Sequence, residues 1–230
     1  MSSRSDHDFG SLPDWAQRPL VMQVFAQAHK LGGEARIVGG AVRDWLANYP
    51  VGDIDMAINL PIETVASHMV ACGMRVVETG LKHGTITLYD NDDQIELTQT
   101  RVDLETDGRH AIVAHDHDWA RDAARRDFTI NALYLDSSGG VFDPLDGNAD
   151  IKAGRLRFAG DAGLRVQEDA LRMIRYCRFL PRFAAKGIDP QAQAALREHA
   201  SLCAGLSGER IANEMRRIMV GGGLKEVIGL

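Results

Sequence analysis

The stretch Val38–Ile58, VGGAVRDWLANYPVGDIDMAI, crowds two adjacent glycines, an Arg-Asp pair and two aspartates one residue apart into one short span. Just upstream, ARIV (35–38) reads as a strand running into the Gly39-Gly40 turn, and AVRDWLAN reads as a helical turn closed by Pro50. DIDMAI alternates polar and apolar residues, as a half-buried strand does. On such a strand Asp53 and Asp55 leave from the same face. Carboxylates held that close repel each other unless a cation lies between them. A hard divalent ion such as Mg²⁺ takes oxygen ligands and keeps room for water and phosphate oxygens. The turn beforehand adds the other half. Gly39-Gly40 lets backbone N–H groups approach an anion, the helix starting near Ala41 points its positive end there, and Arg43 adds a cation. A phosphate cradle followed within one strand by a metal-binding pair is the layout of metal-assisted phosphoryl transfer.

The rest of the composition sets bounds on that reading. The chain has 230 residues, 45% hydrophobic and 25% charged, enough for one large domain or two smaller ones with a real core. No apolar run approaches a membrane span, and the N-terminus lacks a signal-peptide pattern. Cys72, Cys177 and Cys203 are odd in number and widely spaced, which argues against a disulfide framework and for a reduced, cytoplasmic protein. Net charge is −6, so the chain is no obvious polyanion binder. The charge is uneven, however: residues 44–118 carry 14 Asp/Glu against 4 Lys/Arg, whereas residues 120–182 carry 9 against 11. An acidic half facing a mildly basic one suits a metal-and-nucleotide site.

Elements follow from periodicity. Residues 15–31 and 62–71 read as helices stopping at Gly32-Gly33 and Gly73. RVVE, TITLYD and QIELTQT are strand candidates, the last two joined by the turn-rich NDD. Residues 101–118 show little periodicity and many charges, and are expected to form a mobile loop. Residues 119–126 read as a helix, FTINALYLD as a strand and VFD as another after a Ser-Gly-Gly turn. From Val166 onward only helical patterns remain: 166–183, 190–199 and 208–220. A boundary is therefore expected near Gly160, giving a head of residues 1–160 and a helical neck of residues 161–230.

GGAVRD…DIDMAI resembles the signature of the class II tRNA nucleotidyltransferases and bacterial poly(A) polymerases, within the superfamily that includes DNA polymerase β. HGTITL…IELTQTR (83–101), RRDFTINAL (125–133), EDALRMIRYCRF (168–179) and GERIANEMRRIM (208–219) are similar to further motifs of that family, in its order. The resemblance covers residues 36–219. It implies an α+β fold: a polymerase-β-like head, with a mixed sheet flanked by helices, followed by an all-helical neck. It implies Asp53 and Asp55 as metal-binding catalytic carboxylates, with Glu96 on a neighbouring strand as a candidate third. Gly39, Gly40 and Arg43 would meet the triphosphate, and Arg126 the incoming nucleotide, with Arg125 hard to tell from it. Asp127 would fix the local turn. Asp169 and Arg172, three apart on one helix face, would read cytosine and adenine. Arg175 and Arg178 would follow them on base and phosphates.

The activity implied is template-independent addition of CMP and AMP, from CTP and ATP with Mg²⁺, to the 3′ end of a tRNA lacking its CCA. Poly(A) addition to an RNA 3′ end is the near alternative, although ETGLKHGTITL lacks the Gly-Arg-Arg-Phe-like signature those enzymes carry. A catalytically silent RNA-binding module is a third reading, which the retention of both aspartates argues against. HAIVAHDHDWARD (110–122) could suggest a metal-dependent hydrolase, but its His and Asp residues lie in the least periodic part of the chain. In the family this segment belongs to a flexible loop. Members of the family also continue into helical body and tail domains that grip tRNA, which a chain ending at Leu230 is expected to lack.

Overall fold

The computed structural model describes residues 11–80, 84–91, 93–106, 111–115 and 118–220, with side chains described outside 79 and 101–115. Two of the expected core helices come first. Helix α1 (Pro19–Lys30) opens on a proline, whose fixed φ suits a first helical turn. It buries Leu20, Val21, Val24, Phe25 and Ala28 along one stripe. Helix α3 (Ile62–Ala71) likewise buries Ile62, Val65, Ala66 and Met69. Both stripes face one side of a seven-stranded sheet and share its main apolar cluster with Ile37, Met56, Ile58, Ile86, Leu88, Ile95 and Leu97.

The strands are β1 (Ala35–Val38), β2 (Asp55–Ile58), β3 (Arg75–Gly80), β4 (Thr85–Asp90) and β5 (Asp93–Gln99), then two-residue β8 (Tyr134–Leu135) and β9 (Val141–Phe142). Their order across the sheet is β3-β4-β5-β2-β1-β8-β9. Only β2 and β5 run parallel; every other neighbouring pair is antiparallel. This is the expected mixed sheet. Between β1 and β2 lies the seven-residue helix α2 (Gly40–Leu46). Gly39 makes that sharp entry with φ +70°, a conformation that side-chain-bearing residues rarely adopt.

Three expectations need correction. Residues 101–118 are not an aperiodic loop: β6 (Arg101–Thr106) and β7 (Ala111–His115) pair antiparallel as a separate two-stranded sheet. The charges there fall at alternate positions with Val102 and Leu104 between them, a period of two hidden by the charge count. FTINALYLD yields only the short β8, because Thr129–Asn131 coils into a 3₁₀ turn. The helix expected over 166–183 is two helices, α6 (Ala162–Glu168) and α7 (Leu171–Phe183). The break is at Asp169, whose backbone is extended and whose carboxylate accepts the Leu171 N–H at 3.1 Å.

Helix α4 (Trp119–Ala124) starts on Asp118, whose carboxylate accepts the Ala120 N–H. Helix α5 (Gly147–Ala153) precedes α6, and α8 (Pro190–Glu198) and α9 (Gly208–Val220) follow α7. The expected boundary near Gly160 falls within a shared apolar cluster. Phe128, Ile130, Leu156 and Phe158, before it, pack with Val166, Met173, Tyr176, Phe179 and Phe183, after it. Phe128 sits 5.1–5.9 Å, centroid to centroid, from the rings of Phe158, Tyr176 and Phe179.

Candidate active site

Where α7 and α9 lean over the sheet they enclose, with the head, a cavity of about 610 Å³. The head contributes Gly39, Gly40, Arg43, Asp53, Asp55, Arg126, Asp127 and Asn131. The neck contributes Arg175, Arg178, Phe179, Arg182 and Arg217.

The acid side is built on backbone register. Asp55 is the first residue of β2, and Asp53 precedes the strand rather than lying on it, so the shared-face argument does not hold as stated. The two nevertheless line the same cavity. Across the parallel pair β2–β5, Asp55 stands opposite Glu96. All three carboxylates line an adjoining cavity of about 480 Å³, where Arg18 is the lining cation. Burial, then the neighbouring Glu96 and Asp53, push the Asp55 carboxyl up to about 6, with Arg126 opposing. Among the described residues no three His, Cys, Asp or Glu side chains form a preformed metal cage. Glu96 thus stands beside Asp55 across the β2–β5 pair and shares a cavity with both aspartates.

The basic side is built on ion pairs. Arg43 is 7% exposed, gives Nε to Asp44 at 2.9 Å and NH1 to Asn131 at 2.7 Å, and lies over the Phe179 and Phe183 rings. Burial pulls its guanidinium below the usual arginine range, with Asp44 opposing. Gly39 serves by conformation, since its own N–H is donated to the Leu133 carbonyl. Gly40 opens α2 at the cavity wall.

The structure separates the two candidates of the RRD motif. Arg126 reaches the cavity, donating to Asp122 and to the Tyr134 hydroxyl, both at 2.9 Å. Arg125 is turned to Asp122 and is not part of the cavity wall. Asp122 is buried, which opposes its ionisation, but Arg126 and Arg125 hold it below the usual carboxylate range.

On α7, Arg175 and Arg178 line the cavity as expected. Asp169 and Arg172 do not. The helix break removes the three-residue spacing on one face, and each is engaged elsewhere. Asp169 accepts from Arg210 of α9 at 2.8 Å, and Arg172 pairs with Glu168 at 2.6 Å and donates to the Arg165 carbonyl.

Sequence reading passed over four residues of the site. Asp127 does fix its turn, accepting from the Phe128 N–H and Asn131, but it also binds Arg175 at 2.6 Å on the cavity wall. Asn131, four residues on, holds Arg43. Arg182 continues the 175, 178 spacing by one more turn and lies over the Tyr49 ring. Arg217 comes from α9 and carried no local signal. Of the hydrolase-like stretch, residues 110 and 116–117 lie outside the described residues, as do the side chains of residues 111–115.

An acid pair at the start of β2 facing an arginine wall defines a class of site for anionic, phosphate-bearing substrates. Comparison with known proteins gives that class its family. Residues 35–157 match the family model described as "Poly A polymerase head domain". Residues 187–228 match a second, "Probable RNA and SrmB- binding site of polymerase A". The chain belongs to the poly(A) polymerase head-domain family. It is 44% identical over 191 residues to the "CCA tRNA nucleotidyltransferase 1, mitochondrial" of Danio rerio, covering 82% of this chain and 44% of that protein. Against the Homo sapiens protein of the same name the values are 42% over 200 residues, 86% and 46%. Among solved structures, the Bacillus stearothermophilus CCA-adding enzyme in complex with CTP aligns with a TM-score of 0.81 at 32% identity, over 93% of this chain and 50% of that one. The chain thus spans about half the length of the curated relatives it matches. No described helix is long and apolar enough to cross a membrane.

Proposed function

We propose that this chain carries the nucleotide-transfer centre of a template-independent RNA nucleotidyltransferase, adding CMP and AMP from CTP and ATP to the 3′ end of tRNA. The observation that carries the reading is the meeting of Asp53 and Asp55 with an arginine-walled cavity in one site. The names of the relatives, CCA tRNA nucleotidyltransferase and CCA-adding enzyme, support tRNA rather than a generic RNA as the proposed acceptor.

The RNA 3′-hydroxyl attacks the α-phosphorus in line, a new P–O bond forms to the ribose oxygen, and the α–β bridging bond breaks to release pyrophosphate. Arg43, Arg126, Arg175 and Arg178 bind and orient the triphosphate and offset the charge gathering on the leaving group. Asp53 and Asp55 suit a divalent cation such as Mg²⁺, because burial and then the neighbouring Glu96 and Asp53 already raise the Asp55 carboxyl, with Arg126 opposing. Bound there, such an ion supplies charge neutralisation at the reacting phosphate. Glu96 holds negative charge against Asp55 from the next strand. Asp169 and Arg172 are the proposed base readers. Reading a base requires Asp169 to release Arg210 and Arg172 to release Glu168. The three free cysteines suit a reducing compartment; we assign the cytoplasm, with the mitochondrial relatives marking the alternative.

The test is incorporation of labelled CTP and ATP into tRNA trimmed of its 3′ CCA, with Mg²⁺, beside a generic oligoribonucleotide. The expected result is C then A addition on tRNA alone, lost in Asp53→Ala. ATP-only extension of both RNAs would make this a poly(A) polymerase, and activity surviving Asp53→Ala would end the metal assignment.

A further inference from the structure

Helix α9 lies against α7, and one of its residues is buried where burial is costly. Glu214 is 4% exposed, yet it is a carboxylate on a helix whose other buried side chain is Ile218. A charge held out of water needs partners. Glu214 has three, all arginines and all on the cavity wall. Arg178 approaches Oε2 at 2.9 Å, Arg217 approaches Oε1 at 3.5 Å and Arg175 approaches Oε1 at 3.8 Å.

These arginines do not depend on it equally. Arg175 has a closer partner in Asp127, which it meets with both Nε and NH2. Arg217 is largely exposed and its approach is long. For Arg178, Glu214 is the carboxylate the structure brings within ion-pair distance. The contact is also poorly aligned: Oε2 receives no hydrogen bond although the charges are 2.9 Å apart. An aligned, bidentate pair would hold both groups for itself. A close but unaligned one fixes where the guanidinium sits while leaving its donors uncommitted. Without a counter-charge, Arg175, Arg178 and Arg217 would repel one another around a single opening.

We infer that Glu214 is a positioning residue for nucleotide binding, holding Arg178 at the cavity wall from α9 so that a triphosphate meets an arginine already in place. The inference rests on the nucleotide-binding reading above. It reaches beyond it by giving the last helix a part in nucleotide affinity, with no contact of its own to the ligand. A residue acting through another is revealed by a double-mutant cycle.

The experiment measures direct binding of CTP by titration calorimetry, with no transfer step, using the 230-residue chain as wild type, Glu214→Gln, Arg178→Gln and the double variant. Glu214→Gln is expected to weaken CTP about tenfold in the wild-type background and by less than twofold when Arg178 is already glutamine. Equal losses in both backgrounds would show that Glu214 merely supports the fold, and unchanged affinity in Glu214→Gln would show that Arg178 needs no holding; either overturns the inference alone. Wild-type protein that binds no CTP overturns it together with the function proposed above. The same cycle with Glu214→Asp, which keeps the charge and shortens its reach by one methylene, carries the test should the glutamine variant not fold. There too the loss must vanish in the Arg178→Gln background.

Discussion

At the head end of the cavity, Asp55 and Glu96 face each other because backbone hydrogen bonds between β2 and β5 set their register. At the neck end, Arg175 and Arg178 stand where they do because Asp127 and Glu214 hold them. The first arrangement survives any side-chain change that leaves the sheet paired. The second is a set of side chains holding side chains, and one substitution loosens its neighbours. The acid end is therefore placed by backbone pairing, whereas the basic end is placed conditionally, by its side-chain partners.

The contrast is broken most severely at Asp55. Asp55→Asn should lower nucleotide incorporation by about a thousandfold or more, the scale of losing a metal or oxyanion-type contact. The same variant, melted in chelator at pH 7, should be no less stable than wild type, since it removes a carboxylate that burial and two acids already disfavour. A large fall in melting temperature would mean that the acid end also carries the fold.

Asp127→Asn tests the opposite end, where function and stability should fall together. Removing one partner of a buried ion pair costs about 3–5 kcal/mol, read from urea unfolding at pH 7, and CTP affinity should drop about tenfold as Arg175 loses its place. The pH dependence has a definite sign. Although burial opposes it, Arg175 and the hydrogen bonds from Asn131 and Phe128 hold the Asp127 carboxyl below its usual range. Its stabilisation is thus present above the unfolded carboxylate value of about 4 and is lost as pH falls through the lower folded value. Wild type and Asp127→Asn should converge in acid, and a constant gap from pH 7 downward would sink this account.

Arg182→Gln should have a smaller effect. It gives up a 3.5 Å approach to Asp44 and the Tyr49 ring, together about 1 kcal/mol, and should raise the KM for CTP several-fold. Smallest is Arg210→Ala. The Arg210–Asp169 pair is exposed, so stability should move by less than about 1 kcal/mol. Freed from it, Asp169 should select CTP and ATP over UTP at least as well as before. Reduced selectivity would make Arg210 part of base reading rather than its competitor.

What the sequence made legible follows the same division. The Gly39-Gly40 turn, the DxD spacing and the alternation around Ile95 and Leu97 are short-range signals, and they lead to a correctly ordered acid end. Alternation continues through Asp53 although backbone pairing begins at Asp55, so the pattern places the start of β2 two residues too early. The pairing of β6 with β7 is hidden in the sequence because its charges mask a period of two. The helix break at Asp169 leaves no mark in the helical spacing of 166–183, because a local side-chain hydrogen bond stabilises it. Asp127, Asn131, Arg182 and Arg217 join the site through contacts between distant segments, and no spacing rule reports those.

The aromatic stack of Phe128, Phe158, Tyr176 and Phe179 has a consequence for how such chains can be recombined. Its rings come from both sides of residue 160, so a crossover there between two relatives joins half of one interlocked set to half of another. Exchange of heads and necks would succeed only between partners whose rings match in size and tilt. Inheritance of the acid end and the arginine end is therefore tied together by a ring stack of which only Phe179 reaches the cavity wall.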